Sequence, residues 1–217
     1  MRGIMGTTSL IERNGSPVDT LNALEQQART VTASVTPGVS SRWKVTFESE
    51  AVLGTLAVFA GILSLNGLDI VTANIHTSLD DRRVIDTFEV QPLTRRVLTQ
   101  EDVEQMADYA QDVLCGRADI GASIAGMRQV QGYGHVGRAF STEVVFDTDS
   151  EVTLGIRVRT ADRPGLLYDI AAALASHGLR TRAIAVLTVG GVARDMFRVV
   201  ASDGSSELEP ASRAALK

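Results

Sequence analysis

The chain has 217 residues and a formal net charge of −5, with 44% hydrophobic and 22% charged side chains, which is typical of a globular protein. The absence of a dense Lys/Arg cluster argues against nucleic acid as a partner. The single cysteine, Cys115, excludes an internal disulfide, and the longest apolar stretch, 52–65, is too short to span a bilayer, so we expect a cytoplasmic protein.

The first 41 residues are predicted to be a leader. Residues 1–16 are rich in Gly, Ser and Thr and include a short predicted strand at Thr8–Glu12. Pro17–Val31 is predicted to be a helix because its apolar residues fall on one face. Thr36–Gly38 has the composition of a turn.

A first unit is predicted at 42–148. Alternating apolar residues indicate a strand at Arg42–Glu48, and apolar residues at three-and-four spacing after Gly54 indicate a helix that Asn66 and Gly67 end. The remaining elements are two strands joined by a hairpin turn at Asp80–Arg83, a helix capped by Thr99, an irregular Gly-rich segment and a closing strand: Ile70–Thr77, Val84–Val90, Thr99–Leu114, Gly116–Gly137 and Phe140–Phe146.

A second unit, 149–217, repeats the first. The run that begins at Gly67 returns at Gly178, 111 residues further on, and such self-similarity indicates two copies of one structural unit. The predicted elements are strand Val152–Arg159, helix Leu166–His177, strands Leu179–Thr188 and Arg194–Val200, and a helical stub at Ser212–Lys217.

The order strand, helix, strand, strand, helix, strand is that of a ferredoxin-like unit. The predicted fold class is therefore α+β, with two ferredoxin-like units in tandem and the second truncated. Its missing fourth strand would leave an open sheet edge. We expect the strand near Leu10, or another subunit, to cover that edge.

The turn between the first strand and helix of the second unit is the strongest candidate binding site. The start of a helix presents unpaired amide groups and a positive dipole end, which suit a carboxylate. Pro164 would fit the first helical position, Gly165 permits close approach, and Asp162 could accept an ammonium group. The turn could thus hold a free α-amino acid, although the plainer interpretation is that Asp162 caps the helix.

The run from Asp162 to Leu167, the helix after it and the hairpin ending Asp195-Met196-Phe197 resemble an ACT domain, the small-molecule-binding regulatory module of amino-acid metabolism. The tandem copies, over residues 42–203, resemble the C-terminal ACT pair of bacterial PII uridylyltransferase/uridylyl-removing enzymes, a glutamine-sensing family. The nucleotidyltransferase and HD phosphohydrolase motifs of that family have no counterpart here. The resemblance implies a non-catalytic regulatory module of nitrogen metabolism that binds a glutamine-like amino acid and signals through ACT–ACT packing.

We expect no catalytic residues, metal or cofactor. The candidate ligand-binding residues belong to the two equivalent turns: Asp162, Arg163, Pro164, Gly165, Leu166 and Leu167 in the second unit, and Val52, Leu53, Gly54 and Thr55 in the first. The first turn has Ala51 where the second has Asp162, so the first turn lacks the carboxylate that would bind an amine.

Two alternatives remain open. The chain could be a protein-interaction module that docks on a regulatory partner and keeps only vestigial ligand sites, or it could be the C-terminal fragment of a PII uridylyltransferase. A homo-oligomer is compatible with either alternative.

Overall fold

The computed structural model describes residues 30–77, 83–131, 141–148 and 153–202. The strands in these ranges are β1 (Thr32–Pro37), β2 (Trp43–Glu50), β3 (Leu68–Thr77), β4 (Arg83–Pro92), β5 (Glu143–Thr148), β6 (Leu154–Ala161), β7 (Leu179–Ala185), β8 (Thr188–Val189) and β9 (Val192–Ala201). The helices are α1 (Thr55–Leu65), α2 (Gln100–Leu114), α3 (Ile120–Gln131) and α4 (Leu166–Ser176).

Several predicted elements lie outside the described residues. These are the strand Thr8–Glu12, the helix Pro17–Val31 apart from its last two residues, the turn Asp80–Arg83 apart from Arg83, and the stub Ser212–Lys217. The last two residues of the predicted helix Pro17–Val31 are described; they precede β1 and are not helical.

The two halves of the chain form antiparallel sheets with the same strand arrangement. The order is β1-β2-β4-β3 in one sheet and β5-β6-β9-β7 in the other, where β8 pairs with β9. In both, the strand before the helix lies next to the third strand of the βαββ unit, and the second strand forms an edge, as in ferredoxin-like units. The prediction of an α+β protein with two such units is confirmed.

The fourth position of each sheet is filled by the strand that precedes the unit. The predicted strand at 140–146 does not close the first unit, because β5 pairs with β6 and places Val145 opposite Arg157. In the first sheet, β1 takes that place beside β2, although its residues were predicted as leader and turn. Pairing with the neighbouring strand in sequence needs a short loop, which costs less entropy than a long crossover.

This arrangement corrects the expected open edge of the second unit. The edge beside β6 is covered by β5, and neither the segment near Leu10 nor a second subunit is needed there. The division of the chain at 41/42 and 148/149 stays a prediction, and both sheets include a strand from before those boundaries.

The predicted irregular segment at 116–137 contains a helix instead. Helix α3 begins beside Asp119, whose side chain accepts a hydrogen bond from the amide of Ala122 at 3.1 Å, and Ile124 on its inner face is buried. The glycines in this segment hid an apolar three-and-four spacing. The capping of α2 is confirmed, since Thr99 and Asp102 bond each other's backbone amides.

Helix α1 is the centre of the molecule. Its residues from Thr55 to Ser64 are all buried, and it carries no charged residue, as expected of a helix without a solvent face. Against the first sheet, Phe59 stacks on Phe47 with ring centroids 4.5 Å apart. Phe88 meets Phe47 edge-on at 6.2 Å.

The opposite side of α1 packs on the second unit. Helices α1 and α4 are in contact, and the edge strands β3 and β7 lie side by side. One hydrophobic cluster contains buried residues of both units, including Ile62 and Leu174. The two βαββ units therefore share a core and face each other through equivalent elements.

Gly61 allows the close packing of helices at this junction. A Cβ atom at Gly61 would lie 2.9 Å from the Tyr168 ring and 3.0 Å from Ile120. We predict that Gly61→Ala destabilises the protein by about 1–2 kcal/mol, because overpacking outweighs the better helix propensity of alanine. Chemical denaturation would measure this.

Gly126→Ala in α3 is the matched control. A Cβ atom there meets nothing within 4 Å, so the same exchange is expected to be neutral or to stabilise by up to about 1 kcal/mol. Equal effects of the two substitutions would contradict the close packing at Gly61.

Candidate functional site

Helices α1 and α4 begin in the same unusual way. The residue before each helix is a glycine with left-handed backbone geometry, Gly54 with φ 89° and Gly165 with φ 75°. Residues with a side chain rarely adopt this conformation. Neither helix start has a side-chain cap, so the interpretation of Asp162 as a helix cap is not supported.

The position of Pro164 differs from the expectation. It lies one residue before Gly165, outside the helix, and Leu166 is the first helical residue. The Leu166 amide donates to the carbonyl oxygen of Arg163 at 3.1 Å. The next amides of α4 are left without partners by helix geometry.

The second unit's turn borders a cavity of about 230 Å³, which we call cleft two. All six predicted residues of this turn line it. The rest of its wall comes from both units: Ser64, Leu68, Asp69, Ile70 and Leu93 from the first, and Val186, Thr188, Ala193 and Asp195 from the second. Cleft two thus lies where the start of α4 faces the start of β3.

Asp195 is the acid of cleft two whose pKa is raised most clearly. It is 3% exposed, and its Oδ1 atom is buried without a hydrogen-bond partner. Burial raises the pKa of Asp195 to about 6; a hydrogen bond from the Leu187 amide opposes that rise, and the nearby charge of Asp162 adds to it. A ligand's N–H group would give this buried oxygen the partner it lacks.

Two further carboxylates belong to the same cleft. Asp69, at the beginning of β3, has a raised pKa because of partial burial and the charge of Asp162. Asp162 itself is anchored through its amide, which donates to the carbonyl of Gly191 at 2.9 Å. The cleft therefore combines a helix start with three acidic side chains.

Arg163 is already engaged by another carboxylate. Its guanidinium pairs with Asp169 of α4, which also binds Arg128 of α3 with N–O separation 2.7 Å. These two ion pairs, which share Asp169, hold the turn against α4 and α3. The side chain of Arg163 is therefore a structural support of the turn.

The first unit's turn borders a much smaller cavity, cleft one, of about 30 Å³. Of the four residues predicted for this turn, Val52, Gly54 and Thr55 line the cavity, whereas Leu53 does not and is 40% exposed. A volume of this size has room for one or two water molecules. Cleft one is too small for an amino acid.

A buried acid and an arginine also line cleft one. Asp86 is completely buried and neither of its carboxylate oxygens has a hydrogen-bond partner. Burial raises its pKa to about 8. The Nε atom of Arg180, at the start of β7, is likewise buried and unpartnered.

The two clefts are equivalent in the repeat. Asp86 and Asp195 both stand two residues before a buried phenylalanine in the third strand, and Asp69 and Arg180 both stand two residues after the glycine that follows the helix. Sequence reasoning placed none of these four residues in a binding site, although Asp195 belongs to the hairpin motif that carries the family resemblance. The available signal was an acid on the buried phase of an alternating strand, between Val84 and Phe88 in β4.

Metal-binding clusters and membrane-spanning helices were also sought among the described residues. No group of three or more His, Cys, Asp or Glu side chains there could hold a metal ion. None of the described helices is both long and apolar enough to cross a membrane.

Comparison with known proteins confirms the resemblance. Over 167 residues the chain is 30% identical to the bifunctional uridylyltransferase/uridylyl-removing enzyme of a Bradyrhizobium species. This alignment covers 75% of the chain and 17% of that enzyme. The enzymes of the same name from Rhodopseudomonas palustris and Gluconobacter oxydans are 31% identical over 169 residues, covering 75% and 76% of this chain and 18% of each enzyme. The chain therefore spans about a sixth of the length of these curated relatives.

The chain was also compared with solved structures and with protein-family models. An aspartate kinase from Synechocystis aligns in structure with a TM-score of 0.38 and 18% identity, covering 82% of this chain and 28% of the kinase. No protein-family model matches the chain.

Asp86 gives a prediction about stability and pH. Its pKa lies above the ordinary value of 3.8, at about 8, in the folded protein, so the folded state holds the proton more tightly than the unfolded state. The resulting stabilisation is complete below about pH 4 and is lost as the pH rises to about 8. Asp86→Asn, which imitates the protonated acid, should stabilise the protein at pH 8.5 by about 1–3 kcal/mol and by clearly less at pH 5.

Denaturation at both pH values would measure this difference. Asp108→Asn, on the exposed face of α2, is the control for removal of one negative charge and should stay within about 0.5 kcal/mol of the parent protein. A gain for Asp86→Asn that does not grow with pH would contradict the burial of an unpartnered carboxyl group.

Proposed function

We propose that this homologue of the bifunctional uridylyltransferase/uridylyl-removing enzymes is a non-catalytic, cytoplasmic regulatory module that binds a small α-amino acid in cleft two. The observation that carries this proposal is a cavity of about 230 Å³ at the junction of the units, lined by Asp195, whose Oδ1 atom is buried without a hydrogen-bond partner. The resemblance to ACT pairs makes glutamine the first ligand to test, and nitrogen metabolism the first context.

The two ends of an amino acid match the two sides of the turn. The α-carboxylate would accept hydrogen bonds from the amides at the start of α4, near Gly165 and Leu167, where the helix dipole favours a negative charge. The ammonium group would donate to Asp195 and Asp162. Because the folded protein has already desolvated Asp195 and left its Oδ1 atom without a hydrogen-bond partner, an ammonium group that reaches this carboxylate gains a favourable partner.

Signalling would follow from the position of cleft two between the units. A ligand there touches the turn of the second unit and the start of β3 in the first. It can shift the packing of the two units only to the extent that it binds one arrangement better than another. Cleft one, with about 30 Å³, would stay unliganded.

The length of the relatives supports a second proposal about the partner. The chain covers 17–18% of those enzymes, so the homologous region there is part of a much longer chain. A module of this kind would pass its signal to a catalytic domain, either in the same polypeptide or in a separate regulatory partner.

A thermal-shift panel of the twenty amino acids tests the binding proposal. A ligand at 100 times its dissociation constant should stabilise the protein by about 2.7 kcal/mol, which is a rise of roughly 5–10 °C in Tm for a chain of this size. Asp162→Ala and Asp195→Asn should each remove the shift. Asp108→Ala, an exposed acid on α2 outside the clefts, should keep it.

The panel can also reject the proposal. If no amino acid raises Tm, cleft two is not an amino-acid site. If a ligand raises Tm equally in the parent protein and in both cleft variants, it binds elsewhere.

A further inference from the structure

The outer side of the second sheet carries four arginines, which we call the arginine face. They are Arg157 and Arg159 of β6 and Arg194 and Arg198 of β9. Each is exposed and alternates with buried residues of its own strand, and those buried residues belong to the side of the sheet that packs towards α4. Since successive side chains of a strand point to opposite sides, the arginines project away from the core. They are dispersed in the sequence and come together only through strand pairing.

The register of β6 and β9 places like charges side by side. Arg159 is directly opposite Arg194, and Arg157 is opposite Met196, which stands between Arg194 and Arg198 along β9. Opposite residues of an antiparallel pair have Cβ atoms about 5 Å apart, and diagonal neighbours are about 7–8 Å apart. Like charges directly opposite each other destabilise a sheet. The arginine face is therefore an arrangement that folding alone does not favour.

The first sheet shows that the frame does not need these arginines. There, Glu48 is opposite Ile85, at the place where Arg159 meets its partner in the second sheet. Glu89 follows the buried phenylalanine of the third strand, just as Arg198 does in the second unit. Two glutamates of the first unit thus correspond to two arginines of the second. Positive charge is concentrated on one unit of a chain whose net charge is −5.

Carboxylates on the neighbouring strand neutralise only part of this charge. In β5, Asp147 binds Arg157 with an N–O separation of 2.8 Å, and Glu143 lies 3.9 Å from Arg159. The one acid of β9, Asp195, is buried on the opposite side of the sheet, and β7 contains no acid. Four arginines therefore stand against two carboxylates on the described strands of this sheet, which leaves a net positive surface.

We propose that the arginine face docks an acidic segment of a partner protein. Guanidinium groups pair with carboxylates through two parallel hydrogen bonds, which lysine cannot form. Met196 and Val145 are 43% and 37% exposed and add apolar surface among the charges. Arginine and methionine are enriched in protein–protein interfaces. This surface goes beyond the proposed amino-acid site, because cleft two lies on the other side of β9.

Other polyanions fit the arginine face less well. Single-stranded nucleic acid stacks its bases on aromatic side chains, and the exposed positions of β6 and β9 carry none. Anionic membranes attract basic residues through charge alone, without fixed spacing. Here the strand register fixes the arginines around an apolar centre, Met196. Fixed spacing and an apolar centre suit a structured protein partner.

Fluorescence anisotropy with a labelled oligoglutamate of about ten residues tests the docking on the full chain. From Arg194 to Arg198 the face extends about 14 Å along β9, a distance that about five extended residues cover. We expect saturable binding that weakens by about tenfold or more when the salt concentration rises from about 50 to about 500 mM. An oligoglutamine of the same length should not bind.

Charge reversal assigns the binding to the arginine face. The double variant Arg159→Glu with Arg198→Glu installs the residues of the first sheet and should bind the oligoglutamate at least about tenfold more weakly. Arg194→Ala is a milder second variant. It removes one of two opposed like charges, so it should weaken binding by about threefold or more without lowering Tm.

A matched control changes the net charge equally at another place. Arg95 and Arg96 are exposed in the loop after β4 of the first unit. The double variant Arg95→Glu with Arg96→Glu should bind the oligoglutamate within about twofold of the parent protein. Unliganded Tm values check that all variants fold.

The outcomes separate the docking surface from its alternatives and from the proposed function. Absence of oligoglutamate binding, or an equal loss in the two double variants, overturns the docking surface. Phosphatidylglycerol vesicles or polyuridylate that bind more tightly than the oligoglutamate, and only with the arginines in place, overturn the choice of a protein partner. Failure of every amino acid to bind in cleft two removes the proposed function and leaves this inference in place.

Discussion

Burial of helix α1 is the constraint on which the arrangement of the molecule depends. With no charged residue and every residue from Thr55 to Ser64 buried, α1 cannot have one face in water, as helices of most small α/β layers do. The first sheet covers one side, and α2, α3 and α4 must cover the rest. The second unit is thus docked where its own helix completes the enclosure of α1, which brings each helix start opposite the other unit's edge strand. Both clefts follow from that docking.

The clefts nevertheless differ in ways that the shared geometry does not determine. Both have a left-handed glycine before the helix and a buried acid on the third strand. Cleft two adds Asp162 and Asp69 and opens to about 230 Å³, whereas cleft one replaces them by Ala51 and Arg180 and is nearly closed at about 30 Å³. The repeat therefore maintains the same frame twice, with different side chains at a few positions and with the larger cavity beside the second unit's turn.

Local patterns predicted the fold well where they act within one element. The alternation in β2 and β4, the capping box at Thr99 and the glycine that stops α1 depend on neighbouring residues, and each is confirmed. The closing strands were assigned wrongly because the pattern of a strand does not say which sheet it joins. Helix α3 was missed because its glycines conceal the apolar spacing around Ile124.

The candidate site was predicted in part for the same reason. The turn from Asp162 to Leu167 is continuous in sequence, so its residues could be named together. Asp195 joins it through the pairing of β6 with β9, and Asp69 joins it only through the packing of the two units. No local pattern encodes either contact, although both acidic residues are visible in the sequence.

The strands β1 and β5 have a consequence for how the chain emerges from the ribosome. The strand made immediately before each βαββ unit pairs with the unit's first strand, so the first hairpin of each sheet can form as soon as β2 or β6 has been synthesised. A nascent chain therefore does not have to wait for a distant C-terminal strand to protect the inner β2 or β6 from pairing with other chains. A separately expressed second unit would keep this protection only if it began ahead of Glu143.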